Sequence, residues 1–320
     1  MGASWDYTGL MLWQEEISLI IYSKEEVIRL TREWKGERFE DGRPKVPEKY
    51  LEKLRAMTLE EIWLPLYVKG YEFQFEGGFR TLHQGKKLVG RAVTGTFMPT
   101  RPDLFGVVND VGKSNGWKGT CNQWMVDELQ KSDVVVVDMF DKIHNGTFVG
   151  GNLTTAIRAK TVDGGAVIWG GVRDIEQMQK IDTQVCFRGV DPTPIRACVM
   201  TEYNGPCRIG KAVCLPGDVV MATQSGVLFI PSHLVAEVIN QAEKAHVKDI
   251  FGFEMLQRGI YSTAEIDATV WSTEMLERMQ TFIKEDPRCE KYVDVDWSLE
   301  LDAAQGEEKA FTELMKYHLV

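Results

Sequence analysis

Three textures follow one another along the chain. Up to about residue 70 the sequence is mixed and rich in charge. Residues 25–34 carry a helical pattern, with Ser23 placed to cap it. Residues 35–46 (KGERFEDGRPKV) form a polar stretch holding glycine and proline, which predicts a loop. Residues 47–57 place Tyr50, Leu51, Leu54 and Met57 at helical spacing, and 59–68 repeat the pattern until Gly70 breaks it.

From about Lys87 the texture turns to strands. Residues 88–98 (LVGRAVTGTFM) predict one, and the β-branched run 134–139 (VVVVDM) predicts a strand buried on both faces. A helix over 154–160, a buried strand over 166–169 and a helix opening over 174–180 come next. Short strands are expected at 185–190, 212–215, 219–222 and 227–230, then an amphipathic helix over 231–245. Beyond residue 246 the chain becomes polar and helical, with one helix over 263–284, an acidic stretch over 285–305 and a last short helix over 307–319. Strands interleaved with helices argue an α/β fold. The expected organisation is an N-terminal extension (1–70), an α/β core (71–245) and a helical C-terminal region (246–320).

Composition narrows the function classes. The 320 residues carry a net charge of −10, so bulk charge repels nucleic acid rather than attracting it. No stretch approaches the roughly 20 apolar residues of a membrane helix. The first residues, Met1 to Asp6, lack a basic opening and a long apolar run, so no signal peptide is expected there, and Asp6 stands where acylation would want Ser or Thr. Cys121, Cys186, Cys198, Cys207, Cys214 and Cys289 form no CxxC pair and no zinc spacing. They read as buried or free thiols of a cytoplasmic protein.

Candidate chemistry gathers between Asp138 and Asp174. A buried strand leads to Gly150-Gly151-Asn152 and a helix; a second strand leads to Gly170-Gly171-Val172-Arg173-Asp174. Two glycines before a helix permit a tight turn and expose its first amides, here near Asn152, Leu153 and Thr154, which suits a carboxylate. Arg173 offers a bidentate fork for an oxo acid. Asp174 offers one hard carboxylate, as magnesium or manganese prefers. The plain alternative is a structural turn with an Arg–Asp ion pair. No GxGxxG and no Walker A motif is present.

The blocks GRAVTGTFMPTRPDL, VVVVDMFDKIHNGTFVGGNLTTAIRAK, GGAVIWGGVRD, FRGVDPTP and PGDVVMATQSGVLFIP, in this order, resemble the RraA-like family over about half of the chain. That family includes class II 4-hydroxy-4-methyl-2-oxoglutarate/4-carboxy-4-hydroxy-2-oxoadipate aldolases, oxaloacetate decarboxylases and a regulator of ribonuclease E. LTREWKGERFEDGRPKVP and YEFQFEGGF are similar to a longer bacterial subgroup. The resemblance implies a layered α/β core, a homotrimer or hexamer, Arg173 on the substrate's oxo-acid end and Asp174 on magnesium. Gly151, Leu153 and Thr154 would then help hold the substrate.

The family places an acidic residue twenty residues before its Arg-Asp pair; here that position is Asn152. An amide holds a water but is neither base nor anion. Trp169 stands where many relatives have Asp, and Thr223-Gln224-Ser225 replaces a more acidic turn. Trp169 is either core packing or a stacking wall for a sugar-like ligand. Arg101, Glu76 and His144 are lesser candidates: Arg101 a substrate contact, Glu76 a loop residue or a ligand contact, and His144 a bystander or acid–base group.

Three functions remain open at this point. One is a magnesium-dependent lyase on a small 2-oxo or hydroxy acid, working through an enolate. Another is a sugar-acid dehydratase or isomerase on the same site. The third is a non-catalytic protein that binds and regulates a partner enzyme.

Overall fold

The computed structural model describes residues 21–317. The readings made for Met1 to Asp6, and the end of the helix expected over 307–319, lie outside the described residues. Helix α1 (Lys24–Leu30) opens on a reciprocal cap: Ser23 accepts the Glu26 amide and Glu26 takes the Ser23 amide. Helices α2 (Glu48–Ala56) and α3 (Leu59–Val68) follow, the latter with the same device from Thr58 and Glu61.

The centre is built by β1 (Phe75–Glu76), β2 (Arg80–Thr81), β3 (Leu88–Pro99), α4 (Pro102–Ser114), α5 (Cys121–Asp127), β4 (Asp133–Val149), α6 (Gly151–Thr161), β5 (Gly165–Val172), α7 (Ile175–Met178) and β6 (Gln184–Val190). Strands β7 (Cys198–Tyr203), β8 (Cys207–Ile209), β9 (Ala212–Cys214), β10 (Val219–Thr223) and β11 (Gly226–Ile230) complete it. The main sheet runs β1-β11-β10-β3-β4-β5-β6-β2, with β7 also on β3. The four strands β3 to β6 pair in parallel, and the others join antiparallel. This is the α/β class that the pattern indicates.

Val135, Val137, Ala166 and Ile168 face α5 and α6, while Val134, Val136 and Val167 face β8, β9 and β11. A strand covered on both sides has no use for alternation, hence VVVV. Helices α2 and α3 do not stand apart. Leu51, Leu54, Ile62 and Leu66 pack with Val89, Met221 and Leu228 of the sheet.

Helix α8 (Val235–Gln257) is continuous and runs past residue 245. After it come α9 (Thr263–Ile266), α10 (Thr273–Glu285), α11 (Ser298–Ala304) and α12 (Glu308–Met315). Helices α8 to α11 share a core that includes Phe251, Trp271, Leu276, Met279 and Trp297, and α12 packs through Ala310 and Leu314 on Ala303 of α11, so the C-terminal region is helical as expected.

Several expectations need correction. Residues 263–284 are two helices, because Trp271 turns inward, donates its indole N–H to the Ile266 carbonyl (3.0 Å) and leaves Ser272 to cap α10. The stretch 142–147 continues β4, but its register on β5 jumps between Asp138 and Val149, so it bulges from the sheet. Helix α7 is one turn long and starts at Ile175. Helices α4 and α5 were not legible in the pattern. All six cysteines are free and buried, and burial pushes Cys186 and Cys207 up to about 12. No helix among the described residues is long and apolar enough to cross a membrane.

The carboxyl of Asp218, just before β10, is buried and accepts the Leu215 amide at 2.8 Å. Desolvation pushes it up to about 7, against the pull of the Leu215 and Ser232 amides. A folded-state value above the unfolded one favours the protonated form. Its contribution to stability is therefore full below the ordinary carboxylate range and lost as pH rises through about 7. Asp218→Asn should be more stable than the parent above pH 7, by up to roughly 4 kcal/mol at about 1.4 kcal/mol per pH unit, with the gap closing toward about pH 4. Urea midpoints from pH 5 to 9 check this; parallel curves for the two proteins would refute it.

Candidate functional site

The carboxyl ends of β4, β5 and β6 meet at one edge of the parallel block. The Arg173 amide donates to the Val149 carbonyl (3.0 Å) and the Asp191 amide to the Val172 carbonyl (3.1 Å), so the three strands stay paired to their last residues. Ligand sites of open α/β sheets sit at such ends.

Gly150 is needed for close approach. A Cβ there would stand 2.3 Å from Asp174 Oδ2 and 3.0 Å from Arg173 Cγ. Asp174 has φ 60° and ψ 36°, a left-handed backbone that Asp tolerates better than most residues. This turn sends its carboxylate back to the start of α6, where Oδ2 accepts the Gly151 amide at 3.2 Å and lies 3.7 Å from Arg173 Nε. Asp174 Oδ1 has no protein partner among the described residues. Both side chains are partly exposed, at 43% for Arg173 and 32% for Asp174, so neither is locked in the interior.

The helix end differs from expectation at two amides. The Thr154 amide donates to the Gly150 carbonyl at 3.0 Å and is spent inside the helix. The Gly151 amide is taken by Asp174. Open donors at the start of α6 are those of Asn152, whose side chain is exposed, and of half-buried Leu153. Gln177 of α7 adds a carboxamide, close enough that a Cβ on Gly151 would be 2.5 Å from its Oε1.

Sequence reasoning passed over Asp191. It stands across from Arg173, since Val172 and Val190 are register partners. Its Oδ1 accepts the Thr193 amide (2.9 Å) and hydroxyl, and Oδ2 lies 3.3 Å from His144 Nδ1. The Thr193 bonds hold its carboxyl below the usual range. His144 is thus an exposed imidazole with an orienting carboxylate, brought to the site edge by the bulge of β4. The only local signal was the Asp-Pro-Thr turn in FRGVDPTP.

Other candidates go elsewhere. Arg101 is exposed and its Nε bonds Asp103 (2.7 Å) on the same turn. Glu76 is a brace: Oε1 accepts the Gly77 amide (3.0 Å) and Oε2 the Lys211 amide (2.7 Å), which ties β1 to the β8–β9 turn. Trp169 lies on the sheet face opposite α6. Phe79 meets it edge-on at 5.4 Å, and the Arg188 guanidinium covers it at 4.3 Å.

A family model described as RraA-like: Aldolase/RraA matches residues 67–229. Among curated proteins, Protein DlpA of Legionella pneumophila is 29% identical over 171 residues, 52% of this chain. The matched segment spans about a quarter of that relative's length. The fold is similar to that of Streptomyces coelicolor RraAS2, described as an unusual member of the RNase ES inhibitor RraA protein family. The TM-score is 0.54 at 24% identity, covering 68% of this chain and 98% of that one. A protein from Pseudomonas syringae pv. tomato is similar at TM-score 0.55 and 17% identity, over 70% of this chain and 100% of that one.

Proposed function

The chain belongs to the RraA-like family, and on that premise we propose that it is a magnesium-dependent lyase acting on a small 2-oxo acid through an enolate. The family holds both aldolase/decarboxylase enzymes and ribonuclease E regulators. The observation that carries the catalytic reading is the Asp174 turn: a left-handed backbone at a strand end points a carboxylate, beside a guanidinium, at a helix start with open amides.

The donors suit magnesium, or manganese in its place. Asp174 keeps one free oxygen, and magnesium commonly retains water on most of its positions. No group of three His, Cys, Asp or Glu side chains gathers into a cage among the described residues. Asp174 would hold the ion, which when bound supplies Lewis-acid polarisation of the 2-oxo group.

The chain's own residues supply the rest. Arg173 would take the carboxylate next to the oxo carbon in its fork. The Asn152 and Leu153 amides would take the second carboxylate. With oxaloacetate the C3–C4 bond breaks, its electrons stay on C3 as the enolate, and carbon dioxide leaves. His144, held by Asp191, delivers the proton to C3 and pyruvate results. Asn152 positions water without acting as base. The dehydratase reading drew on the same enolate site, with Trp169 and the N-terminal extension suiting a larger polyol; the Trp169 ring is covered by Arg188, which removes it as a sugar wall.

The test is pyruvate formation from oxaloacetate and from 4-hydroxy-2-oxo acids, with magnesium and with chelator. Magnesium-dependent turnover is expected, lowered roughly 100-fold in His144→Gln. Turnover that survives both chelation and Asp174→Ala would overturn the mechanism. The amide at Asn152 favours a second reading, a regulator that binds a ribonuclease. Absent turnover with saturable binding to ribonuclease E would select it. A homotrimer or hexamer is proposed from exposed Met98, Phe105 and Val107 at the end of β3 and on α4; a sedimentation mass of one chain would refute this.

A further inference from the structure

We propose that a second cleft, walled largely by residues 34–50, binds a planar aromatic molecule carrying an anionic group. The cleft measures about 620 Å³ and lies between the loop after α1, the start of β3 and the start of α8. That volume is within the ordinary range for small-molecule sites. Most of its wall falls outside residues 67–229, so its ligand need not be the substrate of the Arg173 site.

Three aromatic rings, Trp34, Phe39 and Tyr50, line it. Trp34 is fixed in place. Its indole N–H donates to the Glu37 carbonyl at 2.8 Å, and its ring lies over Gly36, where a Cβ would come within 2.5 Å. A wall held this way loses little freedom when a second ring stacks on it. Phe39 already has cations over it, with Arg43 at 4.8 Å, Lys45 at 5.8 Å and Arg91 at 5.9 Å from its centroid.

The charge balance sets the sign of the ligand. Lys45, Arg91 and Lys131 line the cleft against Glu37 and Glu48. The cleft is therefore net positive on a chain of net charge −10. Arg91 is committed, bonding the Val46 carbonyl (2.7 Å) and Glu48 (3.2 Å). Lys131 is exposed and has no ion pair among the described residues, which leaves it for an incoming anion. His233, also in the cleft wall, is half-buried, and its Nε2 lies 3.2 Å from the Tyr71 hydroxyl, which fixes the imidazole in place. Ring plus anion describes both a nucleoside monophosphate and an aromatic carboxylate.

Calorimetric titration of the full-length protein tests this, with AMP and 4-hydroxybenzoate as probes and with adenosine and inorganic phosphate as the separated halves. At least one probe should saturate below about 5 mM, and each half should bind at least roughly tenfold more weakly than its parent probe. Lys131→Glu, a surface change that leaves the fold and the Arg173 site untouched, should weaken binding about tenfold, and Trp34→Ala at least as much. Tighter binding of AMP identifies a nucleotide, and of 4-hydroxybenzoate an aromatic acid. Failure of both probes to saturate, or equal affinity in the parent and Lys131→Glu, overturns the proposal. Neither outcome depends on lyase turnover, so this cleft and the Arg173 site stand or fall separately.

Discussion

Asp174→Asn should lower oxaloacetate turnover by about 100-fold or more, with the melting temperature nearly unchanged. The substitution is chosen because it spares the architecture. Asn tolerates the left-handed backbone as well as Asp does, and its amide oxygen still accepts the Gly151 amide. What disappears is the negative charge that faces Arg173 and would hold the metal. Arg173→Lys should act differently. A lysine keeps the charge but loses the planar fork, so KM for the oxo acid should rise roughly tenfold or more, ahead of any fall in kcat. Glu76→Gln is the contrasting control. It weakens a brace between β1 and the β8–β9 turn, so it should reduce stability and leave turnover alone. If Asp174→Asn retains full turnover under saturating magnesium, Asp174 does not serve the reaction, whatever its position.

The parts of this molecule that could be read in the sequence are those set by near neighbours. Ser23 and Glu26 announce α1 because both halves of the cap lie within one turn. The VVVV run announces β4 because burial on both faces erases alternation. The two glycine turns announce the site because close backbone approach has a local signature. Distance along the chain hides the rest. His144 and Asp191 are 47 residues apart and meet only because β6 lies beside β5 and β4 bulges over it. Asp174 could be picked out as a carboxylate at a helix start, but not its left-handed turn, which carries the side chain back to the Gly151 amide of α6. Helix α4 escaped notice because Gly106, Gly112 and three valines blur its pattern. Gly112 is glycine for a tertiary reason, since a Cβ there would be 2.4 Å from the Trp124 ring.

Loss of Arg43 should be among the most damaging single changes outside the apolar core, and nothing in residues 35–46 as a polar loop foretells it. Arg43 is 1% exposed and grips Asp133, itself fully buried, through two parallel bonds of 3.0 and 3.1 Å. Its Nε bonds Asp41 at 2.6 Å. Burial works against the charge, but the Asp133 and Asp41 carboxylates more than offset it and hold the guanidinium firmly protonated. The loop is thereby pinned to the first residue of β4, the strand that leads to the site. Arg43→Met leaves the Asp133 carboxylate buried with, among the described residues, only the Gln130 amide to satisfy it (2.9 Å). Removing one partner of such a pair costs about 3–5 kcal/mol, whereas replacing both by apolar groups is often close to neutral. Urea unfolding should therefore show a large loss for Arg43→Met and a partial recovery for Arg43→Met with Asp133→Leu. Arg43→Lys should fall between, because an ammonium cannot supply the fork. A single-variant loss below about 1 kcal/mol would mean that water reaches Asp133 once the arginine is gone, and that the pair fixes the position of the loop more than it stabilises the fold.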